Sequence, residues 1–154
     1  MLKHKVSNKK VLLLDPGKSG GTIYGNSTNL GLFVLAETAR KIGWQAEVVN
    51  LRNNEYDLSE LISTYQPSVV GFTSTSPAHG NAIERARKIL EINPNIVLLK
   101  GGTHETYAAK YVQAKKEYPI DISFIGEADR SFPLVLDALA NAAPIYTFRN
   151  LAGI

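Results

Sequence analysis

Short apolar runs alternate with longer segments in which apolar residues recur every three or four positions. The short segments occupy residues 11–15, 45–51, 68–73, 95–99 and 121–125, and in 45–51 apolar and polar residues alternate. Runs of this length, bounded by glycine, proline and polar residues, predict β-strands. The periodic segments occupy residues 30–42, 57–65, 77–92, 105–116 and 130–140. Their period predicts helices with one buried face, so the chain is predicted to alternate five strands with five helices.

The first predicted strand opens with an unbroken apolar run, Val11-Leu12-Leu13-Leu14. A run without alternation is typical of a strand that is covered on both faces, as in a parallel sheet. The regular order of strands and helices predicts right-handed crossovers and a three-layer α/β fold. We therefore expect a flavodoxin-like (Rossmann-like) fold with a five-stranded parallel sheet in the order 2-1-3-4-5. In that order, the loops after strands one, three and four meet at one crevice.

The loops at this edge of the sheet carry the candidate binding residues. The first loop exceeds the usual length of about 2–6 residues, which favours a functional loop. Glycines let a ligand approach the backbone closely, and hydroxyl groups supply hydrogen bonds. The candidate cofactor-binding residues are Asp15, Pro16, Gly17, Lys18, Ser19, Gly20 and Gly21 in the first loop, Thr73, Ser74 and Thr75 after the third strand, Gly101, Gly102, Thr103 and His104 after the fourth, and Gly126 and Glu127 after the fifth.

Motifs for nucleotide binding and phosphoacceptor chemistry are incomplete in this chain. Gly17-Lys18-Ser19 resembles the end of a P-loop, but Leu12 stands where that motif needs its first glycine. No Gly-x-Gly-x-x-Gly opens the first predicted helix, so the dinucleotide fingerprint is missing too. A receiver-type phosphoacceptor at Asp15 would need a carboxylate cluster around Mg²⁺, to which only Glu127 could contribute from another strand end. A phosphate- or nucleotide-binding enzyme therefore stays open only as a minor alternative.

Composition narrows the remaining classes. The chain has 154 residues, of which 44% are hydrophobic and 20% charged, enough for one domain with a full core. Its net charge is +3, and much of it comes from lysines near the N-terminus. We interpret residues 1–8 as a flexible basic tail rather than a nucleic-acid-binding surface. No apolar run approaches the roughly 18–20 residues of a membrane span, and a cytoplasmic location is the default expectation.

Residue types that hold metals are scarce. The chain has no cysteine, so it cannot itself hold an iron–sulfur cluster or a thiolate metal site. Its three histidines are His4, His79 and His104. We interpret them mainly as polar surface residues, although His104 follows the glycine pair and could face the crevice. No metal site made of protein ligands is predicted.

Taken together, several segments resemble the cobalamin-binding domain found at the N-terminus of cobalamin-dependent radical S-adenosylmethionine enzymes. Residues 11–20, 31–51 and 67–75 resemble, in order, its first strand and ligand loop, its first helix and second strand, and its third strand. Residues 99–104, Leu-Lys-Gly-Gly-Thr-His, are similar to its glycine-pair turn before a histidine. Residues 122–133 are similar to its Gly-Glu turn and Phe-Pro helix start.

The resemblance implies that residues 9–142 form a cobalamin-binding domain. In that family the motif Asp-x-His-x-x-Gly follows the first strand, and its histidine ligates cobalt. Residues 15–20 fit this frame, but Gly17 stands at the histidine position. The resemblance therefore implies base-off cobalamin, with the nucleotide tail displaced and no histidine beneath cobalt. Thr73 or Thr75 would hydrogen-bond the tail, and Gly101-Gly102 would match the family's glycine pair.

The same resemblance implies a larger parent enzyme, of the methyltransferase type. The parent would add an iron–sulfur cluster and S-adenosylmethionine outside this chain. Residues 143–154 would then begin a linker to a missing C-terminal radical domain, and the cobalamin-binding domain alone would catalyse nothing. The expected partners are cobalamin and that radical domain, with no nucleic acid and no membrane. The alternative is a flavodoxin-like regulatory or interaction domain without a cofactor.

Overall fold

A computed structural model describes residues 6–17, 29–51, 56–112 and 118–143. The strands are β1 Lys10–Asp15, β2 Gln45–Asn50, β3 Val69–Thr73, β4 Val97–Gly101 and β5 Ile122–Ser123. The helices are α1 Leu30–Lys41, α2 Leu58–Tyr65, α3 His79–Ile92, α4 Thr103–Val112 and α5 Ser131–Ala140, with a short 3₁₀ turn at Ser76–Ala78 before α3. Among the described residues, no helix combines the length and the apolar character needed to cross a membrane.

The five strands form one parallel sheet in the order β2-β1-β3-β4-β5. This order confirms the predicted flavodoxin-like topology, in which β1 and β3 are the strands at the switch point. The register places Leu13 beside Gly71, and Gly71 beside Leu99. It also pairs Thr73 with Gly101, so the ends of β3 and β4 lie side by side.

Two apolar cores cover the two faces of the sheet. One core joins the sheet to α1 and α5 through Leu32, Ala36 and Phe132. The other joins it to α2 and α3 through Ile62 and Ala86. Because side chains alternate along a strand, residues of β1 contribute to both cores in turn. The molecule therefore has three layers, as predicted.

The predicted bounds of β4 and β5 differ most from the structure, whereas those of β1, β2 and β3 differ by one residue at one end. β4 begins at Val97 rather than at residue 95, because the chain is still turning after Pro94, where the Ile96 N–H donates to the Asn93 carbonyl at 3.3 Å. β5 is limited to Ile122–Ser123, although the Phe124 N–H still donates to the Lys100 carbonyl at 2.8 Å. α3 also begins later than expected, since residues 76–78 form the 3₁₀ turn.

The predicted tail and linker fall mostly outside the described residues. Residues 1–5 and 144–154 lie outside them. Asn8, which belongs to the predicted tail, is tied to the sheet because its N–H donates to Ser68 Oγ at 2.9 Å. Ser7 Oγ also lies 3.1 Å from Ser68 Oγ. The predicted end of α4 at residues 113–116 lies outside the described residues as well.

Candidate functional site

A cavity of about 430 Å³ lies at the carboxyl end of the sheet. Its floor is formed by the central strands, one wall by α1 and α5, and its rim by the turns that follow β4 and β5. The floor and wall are mostly apolar, and they include Leu13, Gly71, Leu99, Leu32, Phe124 and Phe132. A concave apolar space with a few polar groups at its rim is typical of a ligand site.

Gly71 accounts for the flat floor of the cavity. It lies in β3 between Leu13 and Leu99, and all three residues line the cavity. A Cβ atom at position 71 would come within 2.8 Å of Leu13 Cδ2. The missing side chain leaves a shallow groove in the middle of the sheet, where a packed core would otherwise close. No sequence motif marks Gly71 as a site residue, because only the cross-strand register shows what it faces.

The rim brings together two of the predicted loops. Ser74 N–H donates to the Gly101 carbonyl at 3.1 Å, and His104 N–H donates to the Ser74 carbonyl at 3.2 Å. Gly102 has a φ of 100°, and a Cβ there would lie 2.7 Å from the Ser74 carbonyl oxygen. Glycine is therefore required at this position by both conformation and contact. Among these predicted residues, those that line the cavity are Thr73, Gly101, Gly102 and Thr103.

Thr106 links this rim to the turn after β5. Its hydroxyl donates to the Gly102 carbonyl at 3.1 Å and accepts from the Gly126 N–H at 2.9 Å. Gly126 and Glu127, both predicted as site residues, line the cavity at this point. Tyr107, one residue further along α4, also lines the cavity and is 84% exposed. No sequence motif marks Thr106 and Tyr107, because they reach the cavity only through the direction in which α4 leaves the Gly101–Gly102 turn.

The first loop is anchored at its start. The buried carboxylate of Asp15 accepts the Gly17 N–H at 3.1 Å, and Gly17 has a φ of 75°. Arg85 of α3 donates through Nε to the Pro16 carbonyl at 3.2 Å. These three loop residues lie at the end of β1 but do not line the cavity. The remaining predicted residues of this loop, Lys18, Ser19, Gly20 and Gly21, lie outside the described residues.

A buried ionic cluster lies directly behind the glycine turn. Lys100 and Glu105 are both 0% exposed, and Lys100 Nζ donates to Glu105 Oε1. Tyr118 OH donates to the same oxygen at 2.7 Å, and His79 Nδ1 lies 3.1 Å from Lys100 Nζ. A charge inside the protein is costly unless it is paired, so these contacts are what allow both groups to be buried.

The cluster shifts the pKa values of its members. Burial lowers the pKa of Lys100, although the hydrogen bond to Glu105 opposes this shift. Burial alone would raise the pKa of Glu105, but the hydrogen bonds from Lys100 and Tyr118 help to hold the pKa below its ordinary value. Burial and the neighbouring carboxylate raise the pKa of Tyr118. At neutral pH Glu105 is thus a carboxylate, and Tyr118 is a neutral phenol that donates to it.

The predicted site residue His104 faces this cluster rather than the cavity. Its Nδ1 lies 3.1 Å from Ser76 Oγ, and its ring packs against that of His79 with centroids 3.9 Å apart and planes tilted by 31°. Ligand atoms of His79, His104 and Glu105 lie within 4.8 Å of one another, a spacing that could suit a metal ion. Because the Lys100 ammonium already contacts both His79 and Glu105, the cluster has its own cation, and we assign no metal to it.

The two other hydroxyl residues after β3 also lie away from the cavity lining. Ser74 is buried, and its Oγ has no hydrogen-bond partner among the described residues. Thr75 is exposed and precedes the 3₁₀ turn. Of the two threonines that the sequence offered as donors to a ligand, Thr73 is therefore the one that lines the cavity.

Comparisons with known proteins give the family and the fold. Residues 19–136 match the family described as B12 binding domain. An uncharacterized methyltransferase of Pyrococcus horikoshii is 31% identical over 99 residues, which are 64% of this chain and 20% of that protein. The anaerobic magnesium-protoporphyrin IX monomethyl ester cyclase of Rubrivivax gelatinosus is 33% identical over 129 residues, which are 79% of this chain and 23% of that protein. The chain thus spans a quarter or less of either relative.

Among solved structures, the chain is similar to the radical S-adenosylmethionine methyltransferase TsrM from Kitasatospora setae, determined with cobalamin and a 4Fe–4S cluster bound. The TM-score is 0.73 at 18% sequence identity, and the match covers 90% of this chain and 26% of that chain. At this level of identity the similarity establishes the shared fold.

Proposed function

The chain belongs to the B12-binding domain family, and from that premise we propose that it binds cobalamin at the carboxyl end of its sheet. The nucleotide tail would enter the cavity between the sheet and helices α1 and α5. The corrin ring would lie outside, over the loops that follow β1, β3 and β4. The observation that carries this proposal is the apolar cavity floored by Gly71 and rimmed by Gly102.

The residues around the cavity fit an aromatic base. Its volume of about 430 Å³ falls within the range of roughly 300–1,000 Å³ found for small-molecule sites. Leu13, Leu99 and Phe132 offer apolar contact to the faces of a flat ring. Thr73 places a hydroxyl residue at the rim. A ring nitrogen buried without a hydrogen bond would cost about 1–3 kcal/mol, and we propose that Thr73 satisfies it.

We further propose that no histidine of the first loop ligates cobalt. Gly17 has no side chain, and its N–H is bound by the Asp15 carboxylate. The loop is thereby held in a turn whose third residue offers no ligand atom. We propose a base-off form because the cavity would hold the nucleotide tail away from cobalt, and Gly17 would offer no imidazole in its place.

The reaction of the parent enzyme is proposed from the relatives of this chain. In a parent of the methyltransferase type, bound cobalamin would supply the methyl-transfer chemistry, and this chain would bind and orient it. We propose that this chain is the cofactor module of a radical S-adenosylmethionine enzyme of the methyltransferase type, joined to a C-terminal radical domain. A cluster-binding site would have to lie outside this chain, because the chain has no cysteine.

Mixing the protein with hydroxocobalamin, followed by gel filtration and absorbance spectroscopy, tests the binding proposal. We expect coloured protein with a base-off spectrum. Gly101→Phe is expected to abolish binding, because Gly101 lines the cavity and the added ring would fill it. We expect this variant to fold, since a Cβ at position 101 meets only Phe124 Cβ, at 3.5 Å.

Gly80→Phe is the matched control. Gly80 lies on the exposed side of α3, and a Cβ there has no atom within 4 Å. This variant is expected to bind as the unmodified protein does. A folded but colourless unmodified protein would contradict cobalamin binding and would favour a flavodoxin-like interaction domain without a cofactor. Equal binding by both variants would place the cofactor elsewhere.

A further inference from the structure

We propose that the buried pair Lys100–Glu105, together with His79 and Tyr118, forms a clasp that holds the Gly101–Gly102 rim in its ligand-binding shape. The four residues are called the clasp below. Lys100 and Glu105 would then be positioning residues for the cofactor, acting through the backbone that lies between them. This inference rests on the proposed function, because it assigns the rim to cobalamin binding.

The clasp brackets the glycine turn in sequence. Lys100 is the penultimate residue of β4, and Glu105 lies in the first turn of α4. Residues 101–104 form the whole connection between them. Contact between Lys100 Nζ and Glu105 Oε1 therefore closes a short loop whose backbone includes both rim glycines. Any change in the path of this turn would pull the two charged groups apart.

The turn needs such a constraint because glycine supplies none. Gly102 adopts a φ of 100°, and glycine reaches that region about as readily as any other. Two neighbouring glycines have the largest conformational freedom to lose on ordering. The Gly102 carbonyl accepts hydrogen bonds from Thr106 N and Thr106 Oγ1, each at 3.1 Å. Those bonds and the backbone bonds to Ser74 hold the turn through its main chain, and the clasp adds a constraint through side chains.

Two further segments contact the pair and fix its position. His79, at the start of α3, lies 3.1 Å from Lys100 Nζ. Tyr118, in the segment before β5, donates to Glu105 Oε1 at 2.7 Å. Neither Lys100 nor Glu105 is exposed at all, so separating them would leave each as an uncompensated charge in the interior. The geometry of the turn is therefore coupled to the Lys100–Glu105 ion pair, because neither group could be solvated if the pair separated.

Holding the rim in advance should increase affinity. A ligand that binds a disordered turn must first order it, and that ordering reduces the observed affinity. An apolar pair of the same volume would fill the space but would not direct the turn, since dispersion contacts have no preferred orientation. This difference separates a clasp from a buried pair that merely supports the fold.

Three variants and one matched pair test the proposal. Lys100→Met removes the donor of the clasp, and Glu105→Gln removes the negative charge of its acceptor. The double variant Lys100→Met/Glu105→Gln removes both buried charges while keeping an acceptor for Tyr118. Lys88→Met/Glu84→Gln is the control, because that pair is exposed on α3 and bonded at 2.7 Å. For each protein, thermal stability, hydroxocobalamin affinity and amide exchange of His104 and Thr106 are measured.

We expect the double variant to regain much of the stability lost in the Lys100→Met protein, but to bind hydroxocobalamin about tenfold or more weakly than the unmodified protein. Amide exchange of His104 and Thr106, whose N–H groups bond to Ser74 and Gly102, is expected to accelerate in the cofactor-free double variant. The control variant Lys88→Met/Glu84→Gln should change neither the affinity for hydroxocobalamin nor the amide exchange of His104 and Thr106.

Recovery of stability together with full affinity and unchanged exchange would overturn the clasp and leave the pair a structural support only. If the unmodified protein binds no hydroxocobalamin, the proposed function fails. Amide exchange in the cofactor-free proteins then decides by itself whether the clasp orders the turn, so the two failures are distinguishable.

Discussion

Gly102 carries two separate constraints at one residue. Its φ of 100° disfavours any side chain, and a Cβ would also lie 2.7 Å from the Ser74 carbonyl oxygen and 2.9 Å from Ser74 N. Gly43, after α1, has a φ of 83°, but a Cβ added there would have no atom within 4 Å. Comparing the two glycines separates the cost of the backbone conformation from the cost of the contact.

Gly43→Ala is expected to lower the free energy of unfolding by roughly 1–2 kcal/mol, the cost of left-handed backbone for a residue with a side chain. Gly102→Ala is expected to lower it by roughly 2–5 kcal/mol, because an overpacked contact with Ser74 is added. Urea denaturation of both variants and the unmodified protein measures the difference. Equal losses would mean that Ser74 moves away without cost, and that the rim is not fixed by this contact.

Local patterns predicted the elements well and the site only in part. The apolar run Val11–Leu14 is most readily explained as a buried strand. Its alternation with helical segments, repeated along the chain, was enough to predict the topology. Lys100 shows the limit of this reasoning. At the end of Val97-Leu98-Leu99-Lys100 it looks like a lysine that leaves the sheet, and only the packing of α3 and α4 against β4 shows its buried partners. The cavity depends likewise on neighbours of Gly71 in two other strands.

The N-terminal turns of α3 and α4 meet through two histidines, and this junction is sensitive to acid. Burial lowers the pKa of His104, and the nearby Lys100 charge lowers it further, against an opposing effect of Glu105. His104 also contacts the ring of His79 and the hydroxyl of Ser76. The folded protein therefore resists a proton that the unfolded chain accepts at the ordinary pKa of 6.5.

The free energy of unfolding is expected to decrease as the pH falls below 6.5, since the unfolded state then binds a proton at His104 before the folded state does. A second decrease is expected below 4.5, as the pH passes through the lowered pKa of Glu105 and its carboxylate loses its charge. Urea denaturation across this range measures both. His104→Gln should weaken the first decrease and leave the second; an unchanged first decrease would assign it to another group.

The two cores give the whole molecule an asymmetry that a ligand can reveal. The cavity opens into the layer formed by α1 and α5, whereas α2 packs on the opposite face of the sheet. A nucleotide tail seated in the cavity would replace missing packing in the first layer alone. A ligand bound only to the surface of the loops would not stabilise one helical layer more than the other.

Hydroxocobalamin at about a hundredfold excess over its Kd is expected to raise the free energy of unfolding by about 2.7 kcal/mol, because it binds the folded state alone. Amide exchange followed by mass spectrometry should slow most in α1 and α5, since their local opening would expose the tail, and least in α2. Gly101→Phe should lose the slowing in α1 and α5. Protection spread equally over both layers would show that binding stabilises the fold globally without filling the cavity, which would contradict the placement of the tail.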